Sequence, residues 1–532
     1  MSSAPIWLAG HWQTEAAPEG ELQSHNPRTG QLLPPLFPIS GAATLKTLMR
    51  AGRSAAEALR SVPPEQIATF LERCASQLEA ARDALVESAH LETGLPKEPR
   101  LRNVELPRTV DQLRQAAQAA RLRSFCDPQI DTRLGLRSVR GPLGGPVAVF
   151  GPNNFPFAFN AVMGGDFAAA LAAGNPVIAK AHPSHLATTK LLAEAAFAAL
   201  AGTGLPPATV QLVYALPPEL GLELVSHPDL GASAFTGSRS AGLRLKAAAD
   251  RAGKPIYLEL SAVNPVFVLP GALEERGLTI ARELAGSAVL GGGQFCTKPG
   301  LSILAASKAA DEFVAELETA LRAAPAATLL SAQGAAQIRE SIALWTAHGA
   351  RLRCGGNTVD SPGFGFEGTL VTATGKQWLE HPEALQKEAF GPVHLLILAA
   401  DGAELEAIAS RMEGSLTGSI YSHTGSNDEA LYARIAERLR SRVGRLLNDK
   451  MPTGVAVSAA MNHGGPYPAT GHPGFTSVGM PTSIARFTAL HSYDAVRPHR
   501  LPPELADKNP TGSLWRRIDG EWSQRDVSPK PC

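Results

Sequence analysis

The sequence predicts an α/β fold: two parallel-sheet layers in series, each strand followed by a helix. Three observations predict it. Short apolar runs such as Val177-Ile178-Ala179-Lys180 are separated by Ala-rich stretches with helical spacing. Several of these runs are apolar throughout, as strands covered on both faces require. The alternation restarts after Ile256-Tyr257-Leu258-Glu259-Leu260 and continues past residue 420, and 532 residues exceed what one hydrophobic core organises.

Taken in order, residues from about Ser40 to Ala120 are rich in Ala, Leu, Glu and Arg at helical spacing, as in Leu71-Glu72-Arg73-Cys74-Ala75-Ser76-Gln77-Leu78. Pro146-Val147-Ala148-Val149-Phe150 opens the first layer as a strand, followed by a helix over roughly Phe159 to Ala173. Strand Val177 to Lys180 and a helix from Thr188 to Ala201 come next. Strands Val210 to Tyr214 and Ala232 to Phe235, and a helix from Leu243 to Ala249, complete that layer. The final stretch, with Pro468, Pro473, Pro481, Pro498, Pro502, Pro503 and Pro510, is irregular but carries Trp, Tyr and Phe. It is expected to wrap the body or a partner subunit. There is no internal repeat.

Composition narrows the function. Lys plus Arg equals Asp plus Glu, 49 each, so no basic surface marks a nucleic-acid partner. Cys74, Cys126, Cys296, Cys354 and Cys532 are scattered without a C-x-x-C pair, which argues against a disulfide scaffold or a zinc site. The first residues lack a basic and apolar leader, and the apolar stretch Phe155 to Ala173 is interrupted by Asn160 and Asp166. A cytoplasmic protein with no membrane segment and no bound metal is expected.

Each chemically suggestive motif has two readings when taken alone. Cys296, in Gly291-Gly292-Gly293-Gln294-Phe295-Cys296-Thr297-Lys298, is either a small core residue or a nucleophile embraced by a glycine-rich backbone. Phe235-Thr236-Gly237-Ser238-Arg239-Ser240-Ala241-Gly242 follows a strand and opens a helix, so it is a capped turn or a pyrophosphate cradle. Lys180 ends a strand where α/β sheets bind ligands. No carboxylate stands in Ala181-His182-Pro183-Ser184-His185 to repel a 2′-phosphate, and Ser184 with the imidazoles would tolerate one. Glu259 in an apolar strand is a solvent-facing end or a general base. Asn154, after Gly151-Pro152-Asn153, is turn chemistry or an oxyanion donor. Glu388, before a further apolar strand, is a surface group or a ligand. Gly363-Phe364-Gly365-Phe366-Glu367-Gly368 matches a dinucleotide fingerprint but is preceded by Pro362 and followed by β-like residues, so it reads as a turn.

In order and spacing, Asn154-Phe155-Pro156, Lys180, Phe235-Thr236-Gly237-Ser238, Leu258-Glu259-Leu260, Gly293-Gln294-Phe295-Cys296 and Glu388-Ala389-Phe390-Gly391-Pro392 resemble the aldehyde dehydrogenase superfamily over nearly the whole chain. The resemblance implies two Rossmann-type domains and a small oligomerisation element. Residues 1–124 and 144–258 would bind the dinucleotide, 259–450 would be catalytic, and 125–143 with 451–532 would form the oligomerisation element and tail of a homodimer or homotetramer. It implies that Cys296 attacks an aldehyde, that Asn154 and the Cys296 N–H hold the oxyanion, and that Glu259 activates water against the thioester. Lys180 and Glu388 would hold the riboses of NADP or NAD, NADP being favoured, with Ser184 and Phe390 beside them and Gly237, Ser238 and Gly242 at the pyrophosphate. Lys180-Ala181-His182-Pro183, Gly293 to Thr297 and His463-Gly464-Gly465-Pro466-Tyr467-Pro468-Ala469-Thr470 are similar to 2,5-dioxovalerate (α-ketoglutarate semialdehyde) dehydrogenases, and alternatively to NADP-dependent fatty aldehyde dehydrogenases. Two departures stand out: Ser261-Ala262 replaces a glycine pair, and Lys298 stands where an uncharged residue is usual. Lys298 is read as a solvated rim charge, a thiolate partner, or a partner for the carboxylate of an anionic aldehyde.

Overall fold

A computed structural model describes residues 3–260 and 262–527. Ser261 and Cys532 lie outside the described residues.

The first layer is a seven-stranded sheet in the order Ile256–Glu259, Ala232–Thr236, Val147–Phe150, Val177–Lys180, Val210–Val213, Ile6–Leu8, His11–Gln13. Its first five strands are parallel and the N-terminal hairpin closes the edge antiparallel. Val147–Phe150 and Val210–Val213 are buried at every position, as their unbroken apolar sequence requires. Each such Val or Leu contributes about 1.5–3 kcal/mol of burial. From Val147–Phe150 the chain builds outward in one direction, then returns to lay Ala232–Thr236 on the other side. The crevice at the carboxyl ends of those two neighbouring strands is where a doubly wound sheet binds ligands.

The second seven-stranded sheet runs Arg351–Cys354, Thr369–Thr374, Val393–Ala399, Leu301–Ala305, Pro265–Val268, Ser415–Tyr421, Val443–Asn448. Every pairing is parallel except that of its edge strand Arg351–Cys354. A third sheet joins distant pieces: Gln129–Asp131 and Leu136–Pro142 pair with Thr488–Asp494, Arg516–Ile518 and Glu521–Ser523. The proline-rich tail therefore wraps the body. On its way it crosses the first sheet, where the Leu260 N–H donates to Ala469 O at 2.9 Å.

Two local expectations change. The helix anticipated from Phe159 starts only at Gly165 (Gly165–Ala172). Asn160 holds the preceding turn instead, accepting from the Val162 N–H and donating to Pro156 O, the local competition that keeps Asn out of helix interiors. The helix anticipated from Leu243 begins earlier, at Arg239 (Arg239–Arg251). The Gly363–Gly368 segment is a loop with a two-residue strand, Gly365–Phe366, and strand Thr369–Thr374 follows it. Cys74, Cys126 and Cys354 are buried free thiols. Among the described residues no helix is long and apolar enough to cross a membrane.

Candidate active site

The loop carrying Cys296 is shaped by glycine. Gly291, Gly292 and Gly293 follow one another at φ of 60°, 71° and 66°, a left-handed run that side chains resist. A Cβ on Gly293 would sit 2.1 Å from Gly391 O, so the loop lies directly against the segment bearing Glu388 and Phe390. Side chains then fix its backbone. Asn264 donates through Nδ2 to Cys296 O at 2.8 Å and Lys298 O at 3.0 Å, while its Oδ1 accepts from Thr417. Gln294 donates to Thr328 O and accepts from the Leu330 N–H. Asn154 sits at this loop, and one hydrogen of its Nδ2 is committed to Gln294 O at 2.8 Å. Its second hydrogen and the Cys296 N–H carry no hydrogen bond among the described residues.

Cys296 is half-buried and meets two titratable groups. His463 Nε2 lies 3.1 Å from the sulfur and 2.8 Å from Glu259 Oε1. Glu259 ends strand Ile256–Glu259, and His463 arrives on the tail that pairs with that strand through Thr470. The three donor atoms fall within 4.8 Å of one another. Burial opposes charge on His463, yet the Glu259 carboxylate and the Cys296 sulfur outweigh it and push its pKa up to about 10. The His463 ring is therefore protonated at neutral pH, between the sulfur and the carboxyl group. His463 was visible in the sequence only as part of a tail motif, because a tail crossing from the far end of the chain leaves no local signal of what it meets. Asn264, which anchors the Cys296 loop, gave no signal at all.

Around the sulfur stands an aromatic wall. Phe155 meets Phe159 and Phe295 edge-on at 5.2 and 5.5 Å, and Phe159 lies 5.8 Å from the His463 ring. Arg100 and Arg108 lie over these rings.

The cofactor candidates line the switch-point crevice of the first sheet. Lys180 ends its strand, makes no hydrogen bond or ion pair among the described residues, and burial pushes its pKa down to about 8. Ser184 is placed in the following turn, its N–H donating to His182 Nδ1 at 3.1 Å; burial drives His182 well below its usual range, so that ring is neutral. Ser238 is the N-cap residue of Arg239–Arg251, but its side chain makes no capping bond. The first N–H groups of that helix are thereby left unpaired at its positive end. Gly237 donates to Glu259 O at 3.0 Å, tying the turn to the strand that carries Glu259. A Cβ on Gly242 would strike Leu260 Cδ2 at 2.4 Å, so glycine here serves packing between helix and strand. These unpaired donors fit a dinucleotide: an amine for ribose hydroxyls and a helix N-terminus for phosphate. Across the cleft, Glu388 and Phe390 lie on the segment against Gly293, and Glu388 O accepts from Ser341 Oγ.

Lys298 corrects its expectation. It is neither a rim charge nor a pocket group, being 3% exposed. Its Nζ donates to Ala389 O at 2.8 Å, Gly391 O at 3.2 Å and Val393 O at 2.8 Å, using all three ammonium hydrogens. Burial pushes its pKa down to about 8, partly opposed by Glu388. It fastens the Cys296 loop to the loop of Glu388 and Phe390.

Comparison with known proteins bears on this geometry. The chain is 38% identical over 518 residues to α-ketoglutaric semialdehyde dehydrogenase 2 of Azospirillum brasilense, covering 95% of this chain and 97% of that one. It is 36% identical over 497 residues to the α-ketoglutaric semialdehyde dehydrogenase of Acinetobacter baylyi, covering 91% and 92%. Among solved structures, lactaldehyde dehydrogenase from Escherichia coli superposes with a TM-score of 0.79 at 21% identity, over 92% of this chain and 99% of that one. A mutant of aldehyde dehydrogenase C from Pseudomonas syringae, in complex with NAD+ and octanal, superposes at 0.78 and 20% identity, over 94% and 98%. The family model described as the aldehyde dehydrogenase family matches residues 12–470, and the chain belongs to that family.

Proposed function

We propose that the chain oxidises 2,5-dioxopentanoate (α-ketoglutarate semialdehyde) to 2-oxoglutarate, taking NADP+ in preference to NAD+. That it is an NAD(P)-dependent aldehyde dehydrogenase comes with the family. The observation that carries the substrate is the likeness to two α-ketoglutaric semialdehyde dehydrogenases along more than nine-tenths of the chain. The absence of any carboxylate from Ala181 to His185, with Lys180 and Ser184 alongside, supports NADP.

The residue roles rest on the Cys296–His463–Glu259 line. Cys296, with the imidazolium of His463 lying 3.1 Å from its sulfur, attacks the aldehyde carbon as the nucleophile. The spare Asn154 hydrogen and the Cys296 N–H receive the oxyanion. The bound nicotinamide supplies the hydride acceptor. Once the sulfur is acylated it can carry no charge, so one of the two groups that raise His463 no longer does so. Glu259, with His463 beside it, then takes a proton from the water that attacks the thioester, and the acid leaves as the thiolate is restored.

Lys180, Ser184, Gly237, Ser238 and Gly242 form one wall of the cofactor cleft and Glu388 with Phe390 the other. Residues 1–124 with 144–258, and 259–450, act as cofactor and catalytic domains. The five-stranded sheet of 125–143 and 451–532, with Leu490, Trp515 and Trp522 more than half exposed, joins subunits of a homodimer or homotetramer. An aldehyde panel with both cofactors tests the reading. The highest kcat/KM is expected for 2,5-dioxopentanoate with NADP+; a preference for long alkanals would make this a fatty aldehyde dehydrogenase. Aldehyde-dependent NADPH formation that survives Cys296→Ala would remove the assigned nucleophile.

A further inference from the structure

Arg100 and Arg108, on adjoining helical segments, and Arg445, far along the chain, come to the Cys296 pocket, and they are not equivalent. Arg100 is paired: it forms an ion pair with the buried Glu105 and donates to Asn154 O at 3.1 Å. Glu105 is fully committed, its other oxygen accepting from the Phe157 and Ala158 N–H groups. Arg108 and Arg445 form no ion pair among the described residues. Both converge on one stretch of the tail, where Arg108 Nη1 donates to Val455 O at 3.0 Å and Arg445 donates to Pro452 O and Gly454 O at 2.7 and 3.1 Å. Both guanidinium groups stand close enough to the Cys296 sulfur to interact with it electrostatically.

The unused donors of Arg108 are specific. Among the described residues its Nε and Nη2 are both buried without a hydrogen-bond partner, whereas Arg445 and Arg100 each leave only Nε so. The Nε–Nη2 edge of a guanidinium is the fork that takes a carboxylate in two parallel hydrogen bonds. A cation buried with that edge empty is costly unless a ligand completes it. The plane of Arg108 is meanwhile held over Phe159 at 5.1 Å and Phe155 at 5.9 Å, in the aromatic wall that leads to the sulfur.

We propose that Arg108, supported by Arg445, is a carboxylate-binding site of the pocket, receiving the far end of an aldehyde acid while its aldehyde carbon meets Cys296. This rests on the anionic substrate proposed above, and it moves to Arg108 the role that Lys298 cannot fill. It also separates acid aldehydes from alkanals, because an alkyl tail would leave the Arg108 fork unpaired in an apolar setting.

The test compares 2,5-dioxopentanoate with pentanal, a neutral aldehyde of the same length, in the full-length enzyme and in Arg108→Met and Arg445→Met. The ratio of the two kcat/KM values is expected to fall about 100-fold in Arg108→Met and about tenfold in Arg445→Met. An equal loss for both aldehydes would overturn the site, since a merely structural arginine cannot distinguish them. A second measurement does not depend on the substrate: alkylation of Cys296 by neutral iodoacetamide, with 2-oxoglutarate as protectant. Protection in the wild type that disappears in Arg108→Met supports the site. Absence of protection, or protection that persists in the variant, overturns it. A wild type that ignores 2,5-dioxopentanoate yet is protected in this way would sink the substrate reading and keep the carboxylate site.

Discussion

The two walls of the active cleft are built on opposite plans. On the second-sheet side nearly every polar group near Cys296 is already spent: Asn264 on the carbonyls of 296 and 298, Gln294 on 328 and 330, Lys298 on 389, 391 and 393. On the first-sheet side the donors are idle, with Lys180 unpaired and the N-terminus of Arg239–Arg251 uncapped by its own Ser238. The spent side holds a nucleophile in one place. The idle side waits for a ligand. In this cleft a buried side chain that bonds backbone positions its loop, and the unpaired donors stand where a ligand is proposed to bind.

The largest break in this scheme is at the triad. Glu259→Gln is expected to lower steady turnover by about 100- to 10,000-fold while sparing acylation, so rapid mixing should record one burst of NADPH and then a stall. Unchanged turnover would take the water-activating role from Glu259. His463→Gln probes the same line through pH. Because His463 is raised to about 10 from an ordinary 6.5, its contribution to folding is fully present below pH 6.5 and is lost as pH rises toward 10. The wild-type melting temperature should therefore decline across that window, and the decline should flatten in the variant; parallel curves would contradict the charged histidine.

Next in size is the spent side. Lys298→Met keeps the bulk but leaves three buried carbonyls bare, for an expected loss of about 3 kcal/mol by chemical denaturation. The cofactor KM should rise as well, since the loop of Glu388 and Phe390 loosens. A variant as stable as wild type would show that Lys298 is dispensable to the join.

How far the sequence disclosed this cleft follows from where each part is made. Strands such as Val147–Phe150 and Val177–Lys180 announce themselves, because burial on both faces writes an apolar run that no loop would carry. Cys296, Glu259 and Asn154 were legible only through their shared order along the chain, each having an ordinary explanation alone. Lys298 reads from the sequence as a rim charge or a group for chemistry, because the three carbonyls that bury it lie some ninety residues later. His463, Asn264 and the empty fork of Arg108 depend on tertiary approach, for which no local periodicity exists. The late start of helix Gly165–Ala172 lies between these cases: Asn160 favours a turn in any context, but the alanines after it masked the signal.

The smallest expected effect tests the idle side. Lys180→Met should raise the cofactor KM by about tenfold, the loss of one hydrogen bond from a charged donor, with kcat and thermal stability nearly unchanged because the amine bonds nothing among the described residues. The pH dependence gives the sign. Lys180 is held near 8 by burial, and an anionic or hydroxyl-rich ligand prefers the protonated amine, so affinity for NADP+ should weaken as pH rises through about 8. The variant should lack that inflection. A Lys180→Met enzyme that binds cofactor normally but melts early would mean the amine is spent after all, and the contrast between the two walls would fail at its clearest point.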